Sequence, residues 1–195
     1  MDLKEIIPLI EKAQSGQRIA QNQLIDRCAK TIYQTVYIRL NSKMDAEDIT
    51  QDIMFTMIQK IHTLKQTSAF KSWLFRITLN KIKDFKRKKK FLFFIGGKQE
   101  IEDVMSYNSM HSCDDQPDMI IHRKTLSNEF NQMIQCLSHL EKEIFLLRWV
   151  DQMQINEIAQ VLKKNENTVK THLYRATSKI RKHQSLYHLI KDEGI

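Results

Sequence analysis

Glycine and proline are scarce in this chain, four and two among 195 residues. Glycine weakens a helix through backbone entropy and proline through its missing N–H. Their near absence, beside plentiful Ile, Leu, Lys, Gln and Met, predicts long helices and no sheet. Cysteine is sparse too. Cys28, Cys113 and Cys136 are odd in number and far apart, which fits neither a disulfide framework nor a close-spaced zinc pattern, and reduced thiols in a cytoplasm are expected. No apolar run approaches the ~20 residues needed to cross a bilayer, and Met1-Asp2-Leu3-Lys4-Glu5 lacks a signal-peptide pattern. A soluble intracellular protein without membrane insertion is the expectation. A Gly-rich phosphate loop and a convincing nucleophile pair are also missing, which argues against nucleotide hydrolysis. No cofactor is implied.

What is present is positive charge. The formal net charge is +8 and the sequence pI about 9.3, which favours an anionic partner such as nucleic acid. The cations are unevenly spread. From Lys71 to Lys90 nine Lys or Arg face a single acid, Asp84, and such a segment suits phosphate. From Glu100 to Asp118 the sign reverses, with six acids and no Lys or Arg, and apolar periodicity fades, as in a linker. The length accommodates two modules, each able to bury a core. The expected division is residues 1–92, a flexible acidic linker at 93–119, and a second helical module at 120–190. Phe91-Leu92-Phe93-Phe94-Ile95-Gly96-Gly97 is oddly apolar for such a junction and is expected to pack back on a module.

Leu24, Cys28, Ile32, Val36 and Leu40 recur every fourth residue, laying one apolar stripe along a helix from about Gln17 to Leu40. Gly16 separates it from a shorter first helix. Asp45-Ala46-Glu47-Asp48 opens the next helix with acids where they complement the macrodipole, and its stripe is Ile49, Ile53, Met57 and Ile61. The polar stretch His62 to Ser68 breaks the pattern before Phe70, Trp73, Leu74 and Ile77 begin the helix that carries the basic run. In the second module Ile155 to Leu162 forms a short amphipathic helix. Four polar residues follow, then Asn167 to Arg175. Helix, tight turn, helix is implied, with Ile158, Ala159 and Leu162 facing Val169, Leu173 and Ala176, and small Ala159 permitting close approach. The outward face presents Thr168, Lys170, Thr171, Tyr174 and Arg175, as a recognition helix does in a major groove. Lys179, Arg181 and Lys182 suit phosphate. The alternative is an ordinary helical hairpin with a solvated basic face.

Two segments together resemble the sigma-70 family, extracytoplasmic-function group. Asp45-Ala46-Glu47-Asp48-Ile49-Thr50-Gln51-Asp52, with Phe70-Lys71-Ser72-Trp73-Leu74-Phe75-Arg76-Ile77, Asn80 and Asp84, is similar to that family's region two. Leu137-Ser138-His139-Leu140-Glu141-Lys142-Glu143-Ile144-Phe145, followed by Glu157-Ile158-Ala159 and Thr168-Val169-Lys170, is similar to region four. The resemblance implies an all-α, non-enzymatic subunit that binds bacterial core RNA polymerase and promoter DNA, with an anti-sigma protein as a further partner. It implies polymerase contacts at Asp48, Gln51, Asp52 and Phe55, where an exposed polar face carries one aromatic. The loop 62–69 and the basic helix would hold the opened minus-ten element, with Asn80, Lys81, Lys83, Asp84 and Arg87 as contacts. Asn167, Thr168, Lys170, Thr171, Tyr174, Arg175 and Lys179 would read the minus-thirty-five element. The acidic linker, through Asp114, Asp115 and Asp118, would imitate RNA in the nascent-transcript path. Lys163 and Lys164 depart from the family's small and aliphatic turn residues, and the apolar segment 91–95 is atypical and would contact an inhibitor or the polymerase.

Two other readings stay open at this stage. One is a stand-alone helix-turn-helix repressor or activator that grips duplex DNA by itself. The other is an enzyme in which Asp45, Glu47, Asp48 and Asp52 hold a metal for phosphodiester chemistry; one helix spreads these four around its circumference, which argues against it.

Overall fold

The apolar stripes of the N-terminal half become buried seams in the computed structural model, which describes residues 3–95, 130 and 133–182. Among the described residues there are helices and turns and no strand. The chain divides into two units, Met1–Ser109 and Met110–Ile195.

Four helices build the first unit: α1 (Leu3–Gln14), α2 (Arg18–Leu40), α3 (Lys43–Lys60) and α4 (Phe70–Ile95). The turn between α1 and α2 places Gly16 at φ +85°, a left-handed conformation that a side chain would strain. Asn41 ends α2 in the same region (φ 53°), its N–H bonded to Tyr37 O. Ser42 then caps α3, its hydroxyl accepting from Asp45 N–H at 3.4 Å, so α3 starts two residues ahead of the acidic run.

Leu24, Cys28, Ile32 and Val36 of α2, Ile53 and Met57 of α3, and Phe70, Leu74 and Phe75 of α4 are all fully buried. Each large apolar side chain so placed stabilises the unit by roughly 1.5–3 kcal/mol. Burial pushes the Cys28 thiol up to about 12, so it stays protonated and acts as a small apolar filler. Three threonines in these seams are satisfied within their own helix, whereas the buried Thr50 Oγ1 of α3 meets no hydrogen-bond partner among the described residues. Thr35, Thr56 and Thr78 donate to the carbonyls of Thr31, Asp52 and Leu74 at 3.0, 2.7 and 3.0 Å.

Two expectations change here. Helix α4 continues through Ile95, past the expected boundary at residue 92. Phe91, Leu92, Phe93, Phe94 and Ile95 do not pack back; they are exposed by 61, 70, 41, 86 and 66%. The physical reason is angular: successive helical residues turn by about 100°, so a run of consecutive apolar residues encircles the helix and no single face can be buried.

In the second unit α5 (His139–Phe145) passes into one π-helical turn, Leu146–Val150. Then come α6 (Ile155–Leu162) and α7 (Glu166–Lys182). Met133, Ile134, Leu137, Phe145, Ala176 and Ile180 form one core cluster. Ile158 and Ala159 of α6 and Val169 of α7 are buried as well, and the two helices pack together; Ala176, expected to face α6, belongs to the cluster with Phe145. Val161, not Leu162, is the last buried residue of α6, and Leu162 and Leu173 are half-buried. The turn is three residues, 163–165, shorter than expected, because Asn165 Oδ1 accepts the Thr168 N–H at 2.7 Å and caps α7 from Glu166 onward. Cys113, Gly96-Gly97, the acidic positions Asp114, Asp115 and Asp118, and residues 183–190 lie outside the described residues.

Candidate nucleic-acid interface

Helix α4 turns its buried stripe inward and its cations outward. Asn80, Lys83, Asp84 and Arg87 are exposed and recur at helical spacing, so they share one face. Arg87 pairs with Asp84, one turn back, at 3.1 Å. Lys81 is turned aside toward α3, where its Nζ stands 3.8 Å from Asp52. Lys89 reaches Asp45 at 3.0 Å and lies over the Phe85 ring, 5.6 Å from its centroid. Among the described residues no group of three or more His, Cys, Asp or Glu is placed to hold a metal, and Asp45 has a lysine where a metal would need its oxygen.

The outer face of α3 carries Asp48, Gln51, Asp52 and Phe55, all exposed, with Phe55 at 65%. An aromatic thus stands exposed among carboxylates and an amide on one helix face. Sequence reasoning missed Met44, 70% exposed. The spacing 44, 48, 51, 55 was a usable signal, since it describes one helix face. The two residue sets also touch: Asp52 of the α3 set holds Lys81 of the α4 set.

Between α3 and α4 the chain makes two 3-10 turns, Ile61–Thr63 and Thr67–Ala69. Leu64 is buried while His62, Thr63, Lys65, Gln66 and Ser68 point to solvent. Gln14 at the end of α1 holds this loop, its Nε2 donating to Ile61 O at 2.9 Å and Leu64 O at 2.8 Å. Nothing in the sequence marked Gln14. It anchors the loop by bonding to backbone carbonyls, which any residue supplies.

In the helix-turn-helix, Asn167, Lys170, Thr171, Tyr174 and Arg175 are exposed on the first half of α7, Tyr174 by 75%. Thr168 is half-buried, so its share of the outer face is smaller than expected. Thr171 donates to Asn167 O at 2.9 Å, and Lys170 stands 3.9 Å from Glu166, one turn back. Arg175 and Tyr174 project from the same stretch, giving a planar cation and an aromatic for base edges or phosphates.

Lys179 is employed differently from its expected role as a free cation for DNA. Its Nζ donates to Glu141 Oε2 at 2.7 Å. Glu141 is buried and closes a capping box, its other bond coming from the Ser138 N–H at 2.8 Å. The Lys179 hydrogen bond first, then the Ser138 N–H, hold the Glu141 carboxyl at about 2, against burial that pushes the other way. A carboxylate this firmly ionised neutralises Lys179 and ties α7 to α5. The Ser-x-x-Glu pattern at 138–141 was legible as a cap; its lysine partner was not.

Residues 24–91 match sigma-70 region 2, and residues 127–180 match sigma-70 region 4. The chain belongs to the sigma-70 family. It is an RNA polymerase sigma factor, and its relatives are of the extracytoplasmic-function group. It is 27% identical over 177 residues to the ECF RNA polymerase sigma factor BldN of Streptomyces coelicolor, covering 90% of this chain and 64%, just under two thirds, of that relative. It is also 27% identical over 174 residues to the ECF RNA polymerase sigma factor SigW of Bacillus subtilis, covering 89% of this chain and 93% of the relative. Two solved structures share its fold. One is CnrH in complex with the cytosolic domain of CnrY, with TM-score 0.66, 20% identity, and 90% of this chain and 94% of that chain covered. The other is RpoE in complex with the anti-sigma factor NepR from Bartonella quintana, with TM-score 0.60, 18% identity, and 83% and 94% covered.

Proposed function

We propose that this sigma factor works by binding alone, carrying core RNA polymerase to promoters and holding the opened minus-ten element while its helix-turn-helix reads the minus-thirty-five element. One observation carries this reading: a single chain holds an exposed acidic face with an aromatic, a helix lined with cations and a separate helix-turn-helix, in the family's order. The α3 face of Asp48, Gln51, Asp52 and Phe55, extended by Met44, takes the polymerase. Asn80, Lys83, Asp84 and Arg87 hold the single strand, where phosphate neutralisation offsets the few kcal/mol that unstacking a base costs. Lys81 joins them once Asp52 is engaged by polymerase. Asn167, Lys170, Thr171, Tyr174 and Arg175 read the duplex, with Thr168 at the edge and Lys179 holding the helix in register. The acidic positions Asp114, Asp115 and Asp118 enter the transcript path. An anti-sigma protein is a further partner, in line with the complexes formed by CnrH and RpoE. Polymerase and promoters place this activity in the cytoplasm.

The test is run-off transcription on promoter-containing genomic fragments with purified bacterial core polymerase, with and without this protein, beside a duplex-binding assay on the protein alone. Specific starts that need both components are expected. A protein that starts no transcription yet grips a specific duplex by itself is a stand-alone regulator, and the reading falls.

A further inference from the structure

The end of α4 is built unlike any other exposed surface among the described residues. Lys86, Arg87, Lys88, Lys89 and Lys90 are followed without a break by Phe91, Leu92, Phe93, Phe94 and Ile95, all ten within one helix and all exposed. Five consecutive residues at about 100° each go fully around the helix. The cations therefore form a collar, and the apolar residues form a tip that is apolar on every side.

An apolar stripe suits a groove in a protein, but an apolar tip needs surroundings on every side. A bilayer provides them. The tip is about 7.5 Å long at 1.5 Å per residue, which matches the ~5–10 Å depth to which interfacial helices sink and falls far short of the ~30 Å hydrocarbon core. The collar then lies at the depth of the headgroups. Lys88 and Lys90 have no ion pair among the described residues, and Arg87 holds Asp84 through a solvent-exposed pair that costs little to exchange, whereas Lys89 is held by the largely covered Asp45.

We infer that the tip Phe91–Ile95 and its basic collar seat end-on in the surface of an anionic phospholipid membrane, as a peripheral contact. The collar includes Arg87, a proposed contact for the promoter strand, so lipid and single-stranded DNA compete for this helix. The membrane-bound protein is then a reserve that promoter and polymerase draw upon. The lipid contact itself does not depend on the sigma-factor reading.

The full-length protein is spun with vesicles of phosphatidylcholine containing 30% phosphatidylglycerol, and with pure phosphatidylcholine, in about 0.1 M salt, where the Debye length is about 10 Å. Retention on the anionic vesicles and little on the neutral ones is expected. Lys88→Glu with Lys90→Glu weakens retention by more than about 25-fold, since each cation near an anionic surface contributes about fivefold. Phe91→Ser with Phe94→Ser weakens it by at least about tenfold and leaves the thermal midpoint and run-off transcription unchanged. Two results overturn the inference. Anionic vesicles fail to retain the protein, in which case loss of transcription or of concentration-dependent self-association by the folded phenylalanine variant assigns the tip to polymerase or to a second copy; or the phenylalanine variant binds the vesicles as well as the parent, which is adsorption of a basic protein.

Discussion

The two units present cations in opposite ways. In the first, positive charge is crowded along α4, most of it exposed, with single pairings to Asp52, Asp84 and Asp45 at 3.8, 3.1 and 3.0 Å. In the second, the exposed face of α7 holds few charges at spaced positions, and Lys179 is locked to the buried Glu141. A crowded run attracts any phosphate chain and tolerates sequence, because a phosphate contact carries no base information. A spaced set on a helix held in one position discriminates, because each side chain must meet one base edge. The difference fits one surface for an opened strand and another for a duplex.

The largest effect is expected where charge is most crowded. Replacing Lys83, Arg87, Lys88 and Lys90 together with Ala removes four exposed cations, each a phosphate partner on the proposed reading. For single-stranded minus-ten DNA bound with polymerase, the slope of log K against log salt should fall by about 3, at ~0.7 per contact. Affinity should drop by more than about a hundredfold at low salt, with the preferred sequence unchanged. A drop confined to one sequence would show that α4 reads bases, and the contrast between the units would fail.

Next comes Arg175→Ala in α7. If Arg175 meets a base edge, duplex affinity falls by about 1–3 kcal/mol and specificity relaxes at one promoter position. Fluorescence anisotropy with a set of singly substituted duplexes measures this. Uniform loss across all of them, with a salt slope lower by about 0.9, would assign Arg175 to phosphate.

Glu141→Gln acts on the framework behind that surface. The folded carboxyl sits at about 2 against an ordinary 4.5, so the folded state favours the ionised form. Its contribution is complete above pH 4.5 and is lost as pH falls toward 2. With allowance for solvent around the half-exposed Lys179, it is on the order of 1–2 kcal/mol. Thermal unfolding should show the variant less stable by that amount at pH 7, with the gap to the parent closing as pH falls from 4.5 toward 2. A gap that stays constant with pH would mean the loss is steric.

Much of this architecture was legible in the sequence because helical spacing is a local property. Leu24, Cys28, Ile32 and Val36 announced a seam that is wholly buried, and the face of α3 with Phe55 followed from what the stripe left over. The misses are relations between distant residues. Gln14 reaches carbonyls 47 and 50 residues on, and Lys179 finds Glu141 38 residues back. No periodicity encodes either. The segment 91–95 was misjudged for another reason: apolar residues were expected to be buried, but burial needs a face, and a consecutive helical run has none.

The smallest expected effect tests the turn. Both units end a helix in the left-handed conformation, at Asn41 (φ 53°) in the first and at Lys163 (φ 52°) in the second. Asparagine enters that region at little cost, whereas a lysine Cβ crowds the carbonyl there. The Lys163 N–H bonds Ala159 O, and Lys164 N–H bonds the same carbonyl at 3.0 Å, so the geometry is fixed by α6 and the residue must conform. Lys163→Gly should raise stability by about 1 kcal/mol, and Asn41→Gly by only a few tenths, read as shifts in thermal midpoint. The turn is tested as a phosphate contact by the same variant. Duplex affinity of Lys163→Gly should fall although its fold is firmer, with the salt slope reduced by about 0.9 for one phosphate. Equal affinity with a raised midpoint would leave the turn as strain without a role in binding, and would narrow the reading surface of the second unit to α7 itself.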